Sequence, residues 1–274
     1  MLTMIKRGLV VFAVLGRAAA AMGQGPSNPP PLIYPFDKIP TDAEIVAALQ
    51  GSDAHLKELI INRAVQNLPP HSLQDTTVRA ISDEILKLGH DVQVRFKADP
   101  LSVNEGNSHS DYVKSLAQVL MHEQNPAGID GLVAVAGMGA PGSALVEFGE
   151  AALPALIRVA SKEPEDEPNQ ADSALDVLEQ MLESPTIRPT LSVNAIEEMR
   201  QVAAFRLNNT KGNDNWHLLA TAAYLAVATG DDQLRLQVMD LIDNAAEFAR
   251  RGMTIQWQHE VSDQARQAIA RFPR

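Results

Sequence analysis

One stretch in the middle of the chain decides the fold class: Ala144-Leu145-Val146-Glu147-Phe148-Gly149-Glu150-Ala151-Ala152-Leu153-Pro154-Ala155-Leu156-Ile157. Its apolar residues recur at intervals of three and four, which is the period of one helix face. Gly149 can end a first helix, Glu150 complements the positive start of a second, and Pro154 is tolerated in a first turn. A third helical segment follows at residues 174–182. The stretch therefore predicts short helices that pack in succession.

The same helical period recurs along the rest of the chain. Leu116, Leu145 and Leu175 begin comparable segments that are 29 and 30 residues apart. A fixed interval of this size is typical of stacked helical units. Residues 218–228 are apolar on nearly every side, so the helix that they form must be covered on most of its surface. Later helices are predicted at residues 196–207, 216–228, 234–249 and 261–272.

Local signals in the first half of the chain predict three more helices. Thr41 and Glu44 have the spacing of a capping box, in which each side chain binds the other's free backbone N–H. Residues 51–53 end this helix and cap a second one, which Pro69-Pro70 ends in turn. A third helix is predicted at residues 78–88, ending near Gly89. Residues 90–97 fit either a short strand or a continuation of that helix.

This pattern resembles the HEAT-repeat family of armadillo-type α-solenoids. The resemblance is carried by the stretch quoted above and by an upstream unit, Leu116-Ala117-x-x-Leu120 followed by Asn125-Pro126-x-x-Ile129-x-x-Leu132. It is clearest over residues 110–183. The resemblance implies an all-α fold of stacked antiparallel helix pairs and a role as an adaptor or scaffold. It supplies no catalytic residue.

The first 23 residues have the layout of a secretory signal. Lys6 and Arg7 precede a nine-residue apolar run, and small residues continue to Gly23, where we expect cleavage. The run is shorter than the ~20 apolar residues of a membrane span. We therefore expect export to the periplasm or the cell exterior of a bacterium, with no stable membrane insertion after cleavage.

The predicted organisation has five parts. A signal at residues 1–23 is followed by a proline-rich linker at 24–40, where six prolines favour an extended chain. An N-terminal helical cap region at 41–97 and a loop at 98–109 come before the helical repeats at 110–274.

Charge and composition exclude several classes of function. The 274-residue chain carries a net charge of −11, and removal of the predicted signal takes away three basic residues and no acidic one. Nucleic-acid binding and adsorption to anionic lipid both need a basic surface, so neither is expected. The chain has no cysteine, which excludes disulfides, thiolate metal sites and a cysteine nucleophile.

One glycine-rich segment has the spacing of a nucleotide-binding turn. Gly137-Met138-Gly139-Ala140-Pro141-Gly142 follows residues 132–136, which fit a strand. The rest of the chain lacks the alternating strands of such a fold. We therefore interpret the segment as a turn between repeats, in which Gly139 needs no positive φ.

No other group of residues predicts a catalytic, cofactor-binding or metal site. The acidic residues 163–168 lack the spacing of a calcium loop, and the formal glycosylation sequon at 208–210 reads as a polar turn. Trp216 and Trp257 are expected to pack between the last helices. The histidines show no metal-binding spacing; they are His55, His71, His90, His109, His122, His217 and His259.

The sequence thus predicts an exported, non-catalytic helical-repeat protein without a cofactor, whose partner is another protein. The alternative is a ligand-binding protein or an enzyme with a site near residues 137–142.

Overall fold

Helices provide all the regular secondary structure in the described part of the chain. The computed structural model describes residues 38–98, 107–162 and 168–273, and the side chains of all but residues 90–98, 107–110, 168 and 169 among them. No strand occurs in these three ranges, which confirms the all-α prediction. The predicted signal, most of the linker and most of the acidic segment 163–168 lie outside the described residues.

Three helices form the N-terminal region: α1 (Asp42–Gln50), α2 (Ala54–Asn67) and α3 (Asp75–Ala98). The predicted capping box at Thr41 is confirmed. Asp53 caps α2, because its side chain accepts a hydrogen bond from the backbone N–H of Leu56 at 3.0 Å.

The predicted end of the third helix near Gly89 is wrong. Residues 90–97 continue α3, so the strand alternative is also wrong. A single glycine disfavours a helix by only about 1 kcal/mol, and no proline follows until Pro100.

Five helices form the middle of the chain: α4 (Asn107–Glu123), α5 (Ile129–Ala134), α6 (Ala140–Phe148), α7 (Leu153–Ala160) and α8 (Pro168–Glu183). The N-terminal end of α4 lies inside the loop predicted at residues 98–109. That prediction was therefore too long at both ends, because Ala98 belongs to α3.

The corner between α6 and α7 follows the predicted pattern. Gly149 ends α6 with φ 55° and ψ −132°, a positive φ outside the left-handed helical region. Pro154 lies in the first turn of α7. Leu153 and Leu156 are buried in the core, and Ile157 packs against it from a partly buried position.

Five helices complete the chain: α9 (Val193–Asn209), α10 (Trp216–Ala228), α11 (Asp232–Ile242), α12 (Ala245–Arg250) and α13 (Ile255–Arg271). The single helix predicted at residues 234–249 is wrong, because α11 and α12 divide it. Asn244 starts α12 by accepting a hydrogen bond from the backbone N–H of Glu247 at 3.1 Å. An Asn side chain that binds the backbone in this way competes with helix continuation.

The helices pack in a regular order. Each of α1 to α8 packs against the helix two places further on, and pairs such as α1–α2, α3–α4, α5–α6, α7–α8 and α9–α10 pack against each other. Even-numbered helices from α2 to α10 therefore adjoin one another, as do odd-numbered helices from α1 to α9. We call these sets the even layer and the odd layer. Residues 218–228 of α10 are all buried, as predicted, between α8, α9, α11 and α13.

Arginine side chains cap the C-terminal ends of several helices in the second half. These ends carry free carbonyl groups and a partial negative charge, both of which suit a guanidinium. The bonds run from Arg206 to Ala160 O (2.6 Å), from Arg188 to Ala228 O (3.0 Å), from Arg251 to Thr210 O (3.0 Å) and from Arg235 to Phe272 O (2.7 Å).

Candidate functional site

An open groove lies where α3 adjoins the N-terminal ends of α5 and α7. It consists of two cavities of about 560 and 500 Å³ that share Arg79, Pro126 and Ala127. His71 lines the first cavity, and Pro154 lines the second. We call the two cavities together the odd-layer groove. Each cavity alone has a volume within the range of known ligand sites.

Two prolines line the groove, each near the start of an odd-layer helix. Pro126 lies in the first turn of the short 3-10 helix Pro126–Gly128 before α5, and Pro154 lies in the first turn of α7. Ala127 and Ala155 lie beside them in the groove. The sequence identified both prolines as helix starts, but it did not predict that they would line a common surface.

Charged side chains of both signs face one another across the second cavity. Arg79 and Asp83 lie one turn apart on α3, are exposed, and form no hydrogen bond or ion pair in the described part of the chain. Arg158 of α7 and Asp130 of α5 form an ion pair of 2.6 Å, and their side chains are 61% and 51% exposed. The second cavity therefore offers one cation and one anion whose charges no described side chain neutralises.

The first cavity is bordered by two residues with unusual backbone conformations. Among the described residues, only His71 (φ 55°) and Gln124 (φ 48°) have a positive φ without being glycine. Such conformations cost about 1–3 kcal/mol each and occur often at functional sites. Gln124 follows the last residue of α4, the position that Gly149 occupies after α6. A glycine would meet this backbone requirement without strain.

Glu123 holds the two strained segments together. Glu123 is 1% exposed, and its carboxylate accepts a hydrogen bond from the backbone N–H of Leu73 at 3.0 Å. Its backbone carbonyl is 2.7 Å from Nδ1 of His71. Because a carbonyl can only accept, Nδ1 carries a hydrogen. This hydrogen bond therefore fixes the orientation of the imidazole at one end of the groove.

A row of carboxylates on the even layer was missed by the sequence analysis. Asp172, Asp176, Glu179 and Glu183 lie on successive turns of α8, a spacing that reads as an ordinary solvated helix face. Burial, and then the neighbouring Asp172, raises the pKa of Asp176 to about 6. Burial, and then Glu183, raises the pKa of Glu179 to about 7. The pKa values of Asp176 and Glu179 therefore lie well above those of ordinary carboxyl groups.

The predicted nucleotide-binding alternative lacks its strand. Residues 132–134 belong to α5, Val135 is a turn residue and Ala136 begins the 3-10 helix Ala136–Met138, so the strand prediction is wrong. The expectation for Gly139 is also wrong, because its φ is 89° where the chain turns into α6. Gly137 serves close packing, since a Cβ there would lie 2.7 Å from Oγ of Ser173.

The other residues considered from sequence do not converge on a site. His55, His122, His217 and His259 are exposed, and the side chains of His90 and His109 lie outside the described set. Within that set no three His, Asp or Glu residues come close enough to hold a metal ion. In the sequon, Thr210 is buried at the end of α9.

Trp216 and Trp257 stack on each other between α10 and α13, with ring centroids 4.6 Å apart and planes at 11°. The packing prediction for this pair fits that arrangement.

None of the helices within the three described ranges is long and apolar enough to cross a membrane. No protein-family model, curated protein or solved structure matches this chain.

Proposed function

We propose that this chain is an exported, non-catalytic α-solenoid of the HEAT-like type that binds another protein. The order of helix packing carries the proposal. Helix pairs such as α1–α2, α3–α4 and α7–α8 pack together, and each of α1 to α8 contacts the helix two places further on, as expected of stacked units that contact their neighbours. Prolines near the starts of α5 and α7, two neighbouring helices of the odd layer, also fit repeated units.

The odd-layer groove is the proposed binding surface. Small-molecule sites usually enclose most of their ligand, whereas this groove is open along the starts of two helices. It combines apolar proline and alanine surface with polar groups that can fix the register of a partner. Strained corners at His71 and Gln124 are maintained at one end of it. Surface of this kind suits a protein partner.

Export rests on the first 23 residues. Their basic start, short apolar run and small residues favour a cleaved secretory signal and a mature protein in the periplasm or outside the cell. The alternative site near residues 137–142 has less support, because a helix and not a strand comes before the glycines.

Site-specific photo-crosslinking in the native host tests the proposal. A photoreactive amino acid is placed at Ala151, an exposed residue that lines the groove, and at Gln180, an exposed residue of the even layer, as the matched control. We expect the Ala151 variant to form one crosslinked product with a second protein, and the Gln180 variant not to form it. Identical products from both positions, or no product from either, would contradict the proposal.

A further inference from the structure

We infer that the odd-layer groove takes a peptide segment of its partner that presents an acidic side chain to Arg79 and a basic side chain to Asp83. The inference rests on the proposed function and names the chemistry of the partner. It assigns the specificity of the groove to two residues of α3.

The walls of the second cavity differ in how their charges are paired. Arg79 and Asp83 are separated by one helical turn, which places neighbouring side chains about 5–6 Å apart at Cβ. Neither has an ion-pair partner among the described residues, whereas Arg158 and Asp130 on the facing wall neutralise each other. In the second cavity a ligand therefore gains charge complementarity from α3 and not from α5 or α7. Asp75, one turn before Arg79 on α3, lines the first cavity and accepts a hydrogen bond from the side chain of Asn125 at 2.8 Å. The planar guanidinium of Arg79 can bind a carboxylate through two parallel hydrogen bonds.

The charge of the chain favours a peptide as the ligand of the groove. A nucleic acid or an anionic lipid surface would bring many negative charges to a chain whose net charge is −11. A peptide segment can bring one charge of each sign at the required spacing. Its apolar side chains would contact the surface of Pro126, Ala127 and Pro154.

The order of the lining residues sets the direction of the bound segment. His71 lines the first cavity, Arg79 lines both, and Asp83 lines the second. Nδ1 of His71 is already hydrogen-bonded to the carbonyl of Glu123, so Nε2 is the ring nitrogen left for the bound segment. The bound segment therefore presents a hydrogen-bonding group, an acidic group and a basic group in this order along the groove.

A random-sequence peptide library selected against the full chain tests the inference. We expect the wild-type chain to enrich peptides with one acidic and one basic residue at a constant separation. The double variant R79E/D83K should enrich peptides in which these two charges are exchanged. In isothermal titration, a wild-type-selected peptide should bind R79E and D83K at least about tenfold more weakly, since close charge pairs at interfaces couple strongly. The matched control is R266E, which reverses an exposed charge on α13 and should leave the affinity unchanged.

Two results would overturn the inference. One is enrichment of peptides without the charge pair, or no enrichment at all. The other is equal affinity of a selected peptide for the wild-type chain and for R79E, when circular dichroism shows both to be folded. Crosslinking from Ala151 is read out separately. A crosslinked partner with a failed selection removes this inference alone, whereas the absence of any crosslinked partner removes the proposed function as well.

Discussion

The buried Arg206 should be the most sensitive point in the junction between α7 and α9. Its side chain is 1% exposed, and Nε donates to the carbonyl oxygen of Ala160 at 2.6 Å. A second nitrogen, Nη2, donates to the carbonyl of Lys162. The substitution Arg206→Met removes both donors and keeps an unbranched stem in the core, so it isolates the contribution of the guanidinium.

The expected loss follows from the two bonds. A hydrogen bond that involves a charged group contributes about 1.5–3 kcal/mol. The bond to Ala160 should contribute this full amount to stability, because Ala160 is completely buried. The bond to Lys162 should contribute about half as much, because Lys162 is partly exposed and water can replace part of the interaction. We expect the free energy of unfolding to fall by about 3 kcal/mol. This is a large share of the ~5–15 kcal/mol that is typical of folded domains.

Urea denaturation followed by far-ultraviolet circular dichroism measures this loss. Arg206→Lys keeps the charge but not the forked donors, so its loss should be intermediate. Arg266→Ala, which breaks an exposed pair with Asp263, is the control and should change stability by less than about 1 kcal/mol. The reasoning is refuted if Arg206→Met is no more destabilising than Arg266→Ala.

Three other substitution experiments have definite expected outcomes. Gln124→Gly should raise the free energy of unfolding by up to about 1 kcal/mol in urea denaturation, because glycine adopts φ 48° without strain; a loss of stability would contradict this. Gly139→Ala should lower the melting temperature and reduce the free energy of unfolding by about 1–3 kcal/mol, because a φ of 89° is strained for alanine. The added Cβ would contact no other atom, so the loss comes from the backbone strain. Because folding raises the pKa values of Asp176 and Glu179, the folded state binds more protons between about pH 4 and pH 7, and stability falls as the pH rises through that range. Melting temperatures should therefore be higher near pH 5 than near pH 8, and the double variant D176N/E179Q should reduce that difference.

Helix ends that depend on neighbouring residues could be predicted from the sequence. Thr41 and Asp53 cap helices through backbone groups within three residues, and Pro154 restricts its own turn. The break between α11 and α12 was missed because Asn244 lies inside an otherwise continuous apolar pattern. Its side chain can point to solvent in a helix or bind the backbone and end it, and the pattern alone does not decide between them.

The odd-layer groove could not be predicted, because its residues are distant in sequence. Asp130 and Arg158 are 28 positions apart, and His71 reaches the carbonyl of Glu123 across 52 positions. Arg79 and Asp83 look like any solvated pair on an amphipathic helix. Only the stacking of α3, α5 and α7 places these groups around one surface.

The arginine caps impose an order on the completion of the fold during synthesis. Arg206 lies 46 positions after the carbonyl of Ala160 that it binds, and Arg251 lies 41 positions after that of Thr210. A ribosome releases the N-terminal part of a chain first. The capping hydrogen bond at the end of α7 therefore cannot form until α9 has been synthesised. The one at the end of α9 cannot form until the residues that follow α12 have been synthesised. A nascent chain that stalls between these points carries a helix end whose permanent partner has not yet been made.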